Sequence, residues 1–200
     1  MITEEKVRPY WEARAARQGR RTVGFVGHEL REQDKEYSKK QKLIASTWSL
    51  FHGKVLDYGC GIGRHANLCH PDLYLGVDIT KSLLDIARSD HPSYKFQLLS
   101  ELGEIPEYEF DVLFTSTVLQ HNADEFVLKL FENLSKARQA FTFVLYENSH
   151  PIKASHIVGR LPAEYARLVS AFFEVRTFEE KSHTVHGERH SITIMSAVCR

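Results

Sequence analysis

The chain has 200 residues, 42% hydrophobic and 26% charged, with 26 basic and 26 acidic side chains and therefore no formal net charge. Such a composition fits one globular domain that can bury a core without disulfide staples. It argues against a dedicated nucleic-acid binder, which carries a basic excess, and no apolar run approaches the ~20 residues of a membrane helix.

The N-terminal stretch MITEEKVRPYWEARAARQG has no apolar centre, so it is not read as a secretory signal. It is expected to be a helix, followed by a loop, RRTVGFVGH, and a second helix, ELREQDKEYSKKQKLIASTWSLF. These elements precede the first strand and are expected to cap the sheet rather than form a separate domain. The run RAARQGRR, Arg14 to Arg21, is the densest basic cluster. It reads as a solvated helix face, with a nucleic-acid patch as the alternative.

From Lys54 onward, short apolar runs alternate with helical patterns. KVLDY (54–58), LYLGVD (73–78), YKFQLL (94–99), FDVLFTS (110–116) and FTFVLYE (141–147) are apolar on both faces. Strands of a parallel sheet covered on both sides read this way. TKSLLDIARSD (80–90) and NADEFVLKLFENLSKAR (122–138) lie between them. In the second, Phe126, Leu128, Leu130, Phe131 and Leu134 trace a helical stripe, and Thr80 and Asn122 are expected N-caps. The alternation predicts right-handed βαβ units in a doubly wound sheet. The end of the chain differs. AEYARLVSAF predicts a helix, and FFEVRTFEEKS and HSITIMSAVCR predict two strands joined through HTVHGERH, with Gly187 in the turn. Strands so close in sequence must pair antiparallel.

The segment VLDYGCGIGRH, Val55 to His65, follows a buried strand with glycines at 59, 61 and 63. Glycine accepts positive φ and lets a ligand approach the backbone. A strand, a glycine turn and the start of a helix together make a nucleotide-type site. Its complement is an acid at the end of the next strand, and Asp78 sits there, nineteen residues after Gly59. A carboxylate at that point can accept both ribose hydroxyls of a nucleoside. The dinucleotide pattern G-x-G-x-x-G is missed, because position 64 is Arg64, and there is no phosphate-loop motif. Asp57, at the tip of the strand, would repel a pyrophosphate and suits a ligand with a positive end.

VLDYGCGIG, GVDIT and FDVLFTSTVLQH, in that order, resemble the class I S-adenosylmethionine-dependent methyltransferases over roughly Lys54 to Asn148. The resemblance implies an α/β fold. Its doubly wound, mostly parallel seven-stranded sheet would end in an antiparallel C-terminal hairpin strand, under a helical N-terminal cap. Residues 1–200 would then form one methyltransferase domain, with the cap over 1–52 and a Rossmann-like core over 53–200. It also implies S-adenosylmethionine as cofactor, with Gly59, Gly61 and Gly63 forming its loop and Asp57 supporting them. Asp78 would take the ribose and Ile79 would face the adenine. Ser100 or Glu101 would meet the adenine amine, and Thr115 and Ser116 would lie near the sulfonium. Relatives commonly close the site with a leading helix. On that pattern Tyr10 and Trp11 would cover the methionine end and Arg14 would meet its carboxylate, or Trp11 simply packs the helix onto the domain.

Methyl transfer from a sulfonium mainly requires a positioned nucleophile and a dry site. A base is needed only where the acceptor is a protonated hydroxyl or amine. Sites of open α/β sheets lie beyond the C-terminal strand ends, which puts Gln120 and His121 at the mouth after the fourth strand. His121 titrates near neutrality, so it is a candidate base or substrate contact, or a histidine bonded to backbone at a helix start. After the fifth strand, Glu147, Asn148, His150 and His156 would wall a pocket, with His156 the second catalytic candidate. His183, His186 and His190 fall in the hairpin connection and read as a solvated turn, so no metal is expected. Neither the Asn/Asp-Pro-Pro-aromatic signature nor a Pro-Cys nucleophile is present, which disfavours DNA. The expected acceptor is a small molecule methylated on O or N. The alternatives are RNA methylation, and a non-catalytic S-adenosylmethionine-binding partner subunit. Cys60, Cys69 and Cys199 are scattered without a CxxC, which suits a reducing compartment and hence the cytoplasm.

Overall fold

The computed structural model describes residues 4–23, 38–39, 41–44, 46, 52–137, 141–149, 153–154, 157–185 and 188–199. Five parallel strands form the core of the sheet: β1 Val55–Tyr58, β2 Tyr74–Asp78, β3 Lys95–Leu98, β4 Val112–Ser116 and β5 Thr142–Asn148. A short ribbon follows, β6 Lys153–Ala154 against β7 Ile157–Val158. The long strands β8 Phe173–Val185 and β9 Glu188–Cys199 complete the main sheet. Its seven strands run β3-β2-β1-β4-β5-β9-β8, with β9 antiparallel to both neighbours. The strand order reverses between β1 and β4, the position at which open α/β sheets bind ligands. The expected doubly wound, mostly parallel sheet with a reversed C-terminal strand is therefore present.

Alternation along the strands divides the core. Leu56, Leu113, Phe143 and Leu145 face one side, where Phe131, Leu134, Tyr165 and Leu168 pack on them from the helices α3 (Asp124–Ala137) and α4 (Pro162–Ser170). Val55, Val112, Phe114, Val144 and Tyr146 face the other side, with Ile44 among them. Burying each large apolar side chain contributes about 1.5–3 kcal/mol. Helix α3 buries Phe126, Val127, Leu130, Phe131 and Leu134, one apolar stripe, and carries Asp124 and Glu125 in its first turn and Lys136 in its last. Those charges match the helix dipole.

Four local expectations are corrected. No α-helix follows the glycine loop. The backbone turns through 61–65 and makes one 3-10 turn at Ala66–Leu68, and a second at Pro71–Leu73 follows. Only seven residues separate Gly63 from Pro71, and proline cannot continue a helical ladder. Asn122 does not cap α3. It closes the 3-10 turn Leu119–His121, with its Nδ2 donating to the Val118 carbonyl at 2.9 Å. The hairpin connection is shorter than HTVHGERH, because the strands run to Val185 and resume at Glu188. Only residues 186 and 187 remain between them, and both lie outside the described residues. Finally, the β6–β7 ribbon occupies what reads as loop in the sequence. Among the N-terminal expectations, helix α1 spans Glu4–Gln18 and a 3-10 turn follows at Gly19–Val23. Of the second expected helix, residues 38–39 and 41–44 are helical and most of the rest lies outside the described residues.

Candidate active site

Gly59, Gly61 and Gly63 have φ values of 77°, 56° and 71°. This is the left-handed region, where a Cβ is strained. Space forbids a side chain as well. A Cβ on Gly59 would lie 2.5 Å from Val118 Cγ2, and one on Gly63 would lie 2.8 Å from Phe96 Cζ. The loop is tied to β2 by backbone bonds from Gly59 N and Cys60 N to the Val77 carbonyl, at 2.8 and 3.0 Å. Asp78 completes the tie. Its Oδ2 accepts from Gly61 N at 2.9 Å and its Oδ1 from Thr80 N at 2.8 Å. Burial raises the Asp78 pKa, against the pull of these bonds. The Ile79 amide and the Thr80 side chain also bond to this carboxylate, so a ribose would compete with these donors for its lone pairs.

Asp57 behaves differently. It is buried, and Tyr74 Oη donates to its Oδ2 at 2.7 Å. Burial pushes its pKa up to about 7, with Asp78 adding to the effect. Its negative charge is thus incomplete at neutrality, which weakens the charge argument for a cationic ligand. Its bond runs to β2 through Tyr74.

Beyond β2, Ile79 is buried at the loop's edge. Ser100 is held by Glu104 Oε2, which accepts from its N at 2.5 Å and its Oγ at 2.6 Å. Arg8 donates to the Ser100 carbonyl and, at 2.6 Å, to that of Leu99. Glu101 is exposed. Reading the sequence missed Glu104 and Arg8, whose roles depend on which turn they close. Thr115 is fully buried and its Oγ1 has no hydrogen-bond partner among the described residues. Ser116 is half-buried.

Helix α1 lies over these strand ends and touches each in turn. Arg8 reaches the loop after β3, as above. Glu12 accepts from Lys81 N at 2.6 Å and from Ser82 N and Oγ, at the start of helix α2 (Lys81–Asp90). Thr80, in the N-cap position of α2, makes no side-chain capping bond, so Glu12 supplies the acceptor. Ala15 packs with Ile62 of the glycine loop and Leu83 of α2. The Trp11 ring meets the His121 ring edge-on, with centroids 4.9 Å apart. Arg14 is buried, donates to Tyr10 Oη at 2.9 Å and lies 5.4 Å from the Trp11 ring centroid. Tyr10, Trp11, Arg14 and His121 are therefore brought together. The basic cluster is partly consumed: Arg14 is buried and Arg20 pairs with Asp90.

The segment after β4 carries His121. Gln120 Oε1 accepts from Asn148 Nδ2 at 2.7 Å, and Gln120 Nε2 lies 3.1 Å from His121 Nε2. The Gln120 amide then donates to that ring nitrogen, and the His121 proton sits on Nδ1. His121 in this state offers a donor and an aromatic edge. It can accept a proton only after Gln120 lets go. Glu147 is not a pocket wall: it is buried beneath this segment, bonded to the amides of Val118, Leu119 and Gln120. His156, His150 and His186 lie outside the described residues, and the side chains of His183 and His190 do as well. Among the described residues no group of three His, Cys, Asp or Glu side chains is disposed to hold a metal ion. No described helix is long and apolar enough to cross a membrane.

Residues 55–140 match a family described as a methyltransferase domain. A Haemophilus influenzae protein, described as an uncharacterized protein, is 29% identical over 136 residues, covering 62% of this chain and 53% of its own length. The chain thus spans about half the length of that curated relative. Among solved structures, magnesium protoporphyrin IX methyltransferase from Synechocystis PCC 6803, with bound S-adenosylmethionine, is similar at a TM-score of 0.69. It is 16% identical, covering 98% of this chain and 97% of that one. A S-adenosylmethionine-dependent methyltransferase from Leishmania major is similar at 0.72 and 18% identical, covering 96% of this chain and 82% of that one.

Proposed function

We propose that this chain is a class I S-adenosylmethionine-dependent methyltransferase and that it methylates an oxygen or nitrogen of a small-molecule acceptor held between α1 and the segment after β4. The methyltransferase-domain match over 55–140 and the fold support the first part. The observation that carries the second part is α1 itself. It lies over the strand ends and is fastened to the loops after β1, β2, β3 and β4. A site roofed in this way favours an acceptor small enough to fit beneath the helix. The partial burial and pairing of the Arg14–Arg21 cluster speaks against an open RNA track.

The residues present fit the cofactor. The glycine loop holds three left-handed residues with no Cβ to cover its backbone, Asp78 stands at its edge with its carboxylate on the Gly61 amide, and the Thr115 hydroxyl is buried without a described partner. Gly59, Gly61 and Gly63 would admit it, Ile79 would line the adenine side, and Arg14 with Tyr10 and Trp11 would close over the methionine end. When bound, S-adenosylmethionine supplies an activated methyl group. The chain's own residues then orient the acceptor and exclude water. His121 donates from Nδ1 to an acceptor heteroatom, or takes its proton once Gln120 releases Nε2. The half-buried Ser116 and the Trp11 ring would bound the space in which the acceptor turns. The free thiols of Cys60 and Cys69 suit a cytoplasmic setting.

Two measurements test the reading. Asp78→Ala should abolish S-adenosylmethionine binding by calorimetry, and unchanged affinity would sink the cofactor site. With methyl-labelled S-adenosylmethionine and a cell extract, label should appear in the small-molecule fraction. Label found only in RNA or protein would sink the acceptor class.

A further inference from the structure

Residues 118–124 are gripped from two sides by buried charged groups. Glu147, fully buried, accepts on Oε1 from Val118 N at 2.9 Å and Leu119 N at 3.0 Å, and on Oε2 from Gln120 N at 3.2 Å. Burial pushes the Glu147 pKa up to about 7 against the pull of these bonds, and three successive amides converging on one carboxyl group form a nest. Arg160, 2% exposed, treats the other polarity. Its Nη1 donates to the Leu119 carbonyl at 2.7 Å and its Nη2 to the Asn122 carbonyl at 2.6 Å. Its Nε and Nη2 both reach Asp124 Oδ1, at 2.9 and 2.7 Å.

We propose that Glu147 and Arg160 are positioning residues, which clamp this segment so that Gln120 and His121 hold a fixed pose toward the acceptor. The inference rests on the reading of His121 at the mouth of the site. Two further observations support it. Thr117, immediately before the clamped amides, has φ 57°. A β-branched residue is strained there, and such strain persists where the surroundings over-determine it and clusters at functional sites. Gln120 is also pinned twice by consecutive residues of β5, its amide by Glu147 and its side chain by Asn148. Alternation sends those two side chains to opposite faces of the strand, so Gln120 is fixed in both backbone and rotamer. Burying an acid and a guanidinium is a poor way to gain stability, because desolvation offsets much of the attraction. What the two groups do provide is an exact match of acceptors to amides and donors to carbonyls over one short turn.

A glutamine at 147 keeps the volume but turns an NH2 group toward backbone donors. In assigned NMR spectra of the full chain, S-adenosylmethionine should shift the His121 imidazole resonances of the wild type. In Glu147→Gln, exchange protection of the Val118, Leu119 and Gln120 amides should fall tenfold or more and the His121 response should be lost. Calorimetric affinity for S-adenosylmethionine should stay within about threefold. If Glu147→Gln does not fold, Arg160→Lys carries the same test: a lysine keeps the charge but cannot span both carbonyls. A wild-type His121 that ignores the cofactor overturns the proposal through its premise, even if the amides lose protection. An unchanged His121 response in a folded variant overturns it directly.

Discussion

Asp57 and Asp78 are buried carboxylates on the same face of neighbouring strands, yet their surroundings differ. Asp78 receives two amide protons, whereas the bond to Asp57 comes from one phenol. Burial holds the Asp57 pKa up at about 7, well above the 3.8 of an ordinary aspartate. An acid with a raised folded pKa keeps its proton in the native state while the unfolded chain has lost it. Its contribution is therefore present below about pH 4 and lost as the pH rises through about 7. The full loss is on the order of 4 kcal/mol. Asp57→Asn should escape it. In urea titrations the variant should gain on the wild type steadily between about pH 4 and about pH 7 and hold its margin above. A margin independent of pH would mean that Asp57 is ionised throughout. The same pair of residues marks what sequence can and cannot say. The place of Asp78 against the glycine loop was legible, because it ends the strand that follows the loop. The neutralising environment of Asp57 was not, because it comes from burial in the assembled sheet and from Asp78 on the next strand.

At the scale of elements, α1 is the least self-sufficient helix described. It has 15 residues with Pro9 inside it, and a helix of that length is marginal in isolation even without proline. Its contacts must hold it. The most specific is the Glu12 carboxylate on the start of α2, where Thr80 gives no side-chain bond. One bond thus joins two elements. Glu12→Ala should lower stability by roughly 0.5–2 kcal/mol, the usual cost of losing an N-cap acceptor. Hydrogen exchange should then speed up in α1 as well as in the first turn of α2. Faster exchange confined to α2 would show that α1 is anchored elsewhere. The helical nature of α1 was legible in its sequence, and so was its place near the site. The partners of Arg8 and Glu12 were not, since they are mostly backbone groups about 70 to 90 residues away and no side-chain pattern announces them.

For the whole molecule, the sheet was readable because four of its five parallel strands are buried on both faces and alternate with helical stretches. The edge strand β3, expected to be covered on both sides, is largely exposed. The reversed last strand followed from the short separation of two strand-like runs. The helix expected after the glycine loop is absent for a local reason: Pro71 follows Gly63 too closely for a helical ladder to run, and two 3-10 turns take its place. Glu147 and Arg160 were obscured for a deeper reason. Their worth lies in a turn that exists only once β4, β5 and the chain before α4 are assembled. On the proposed reading the same assembly would make cofactor binding a property of the whole domain, because α1, the glycine loop and Asp78 would close together. Ligand present at a hundredfold its dissociation constant adds about 2.7 kcal/mol to the folded state. For a domain of this size that raises Tm by roughly 5–10 °C. The division of that gain between the parts is informative. Adenosine carries the ribose and the base but no methionine, so it should engage Asp78 and leave α1 unanchored. At concentrations giving equal occupancy, S-adenosylmethionine should therefore slow hydrogen exchange in α1 and adenosine should not, while both protect the Gly61 amide. Equal protection of α1 by the two ligands would remove Arg14 and Trp11 from the methionine end and leave α1 as packing alone.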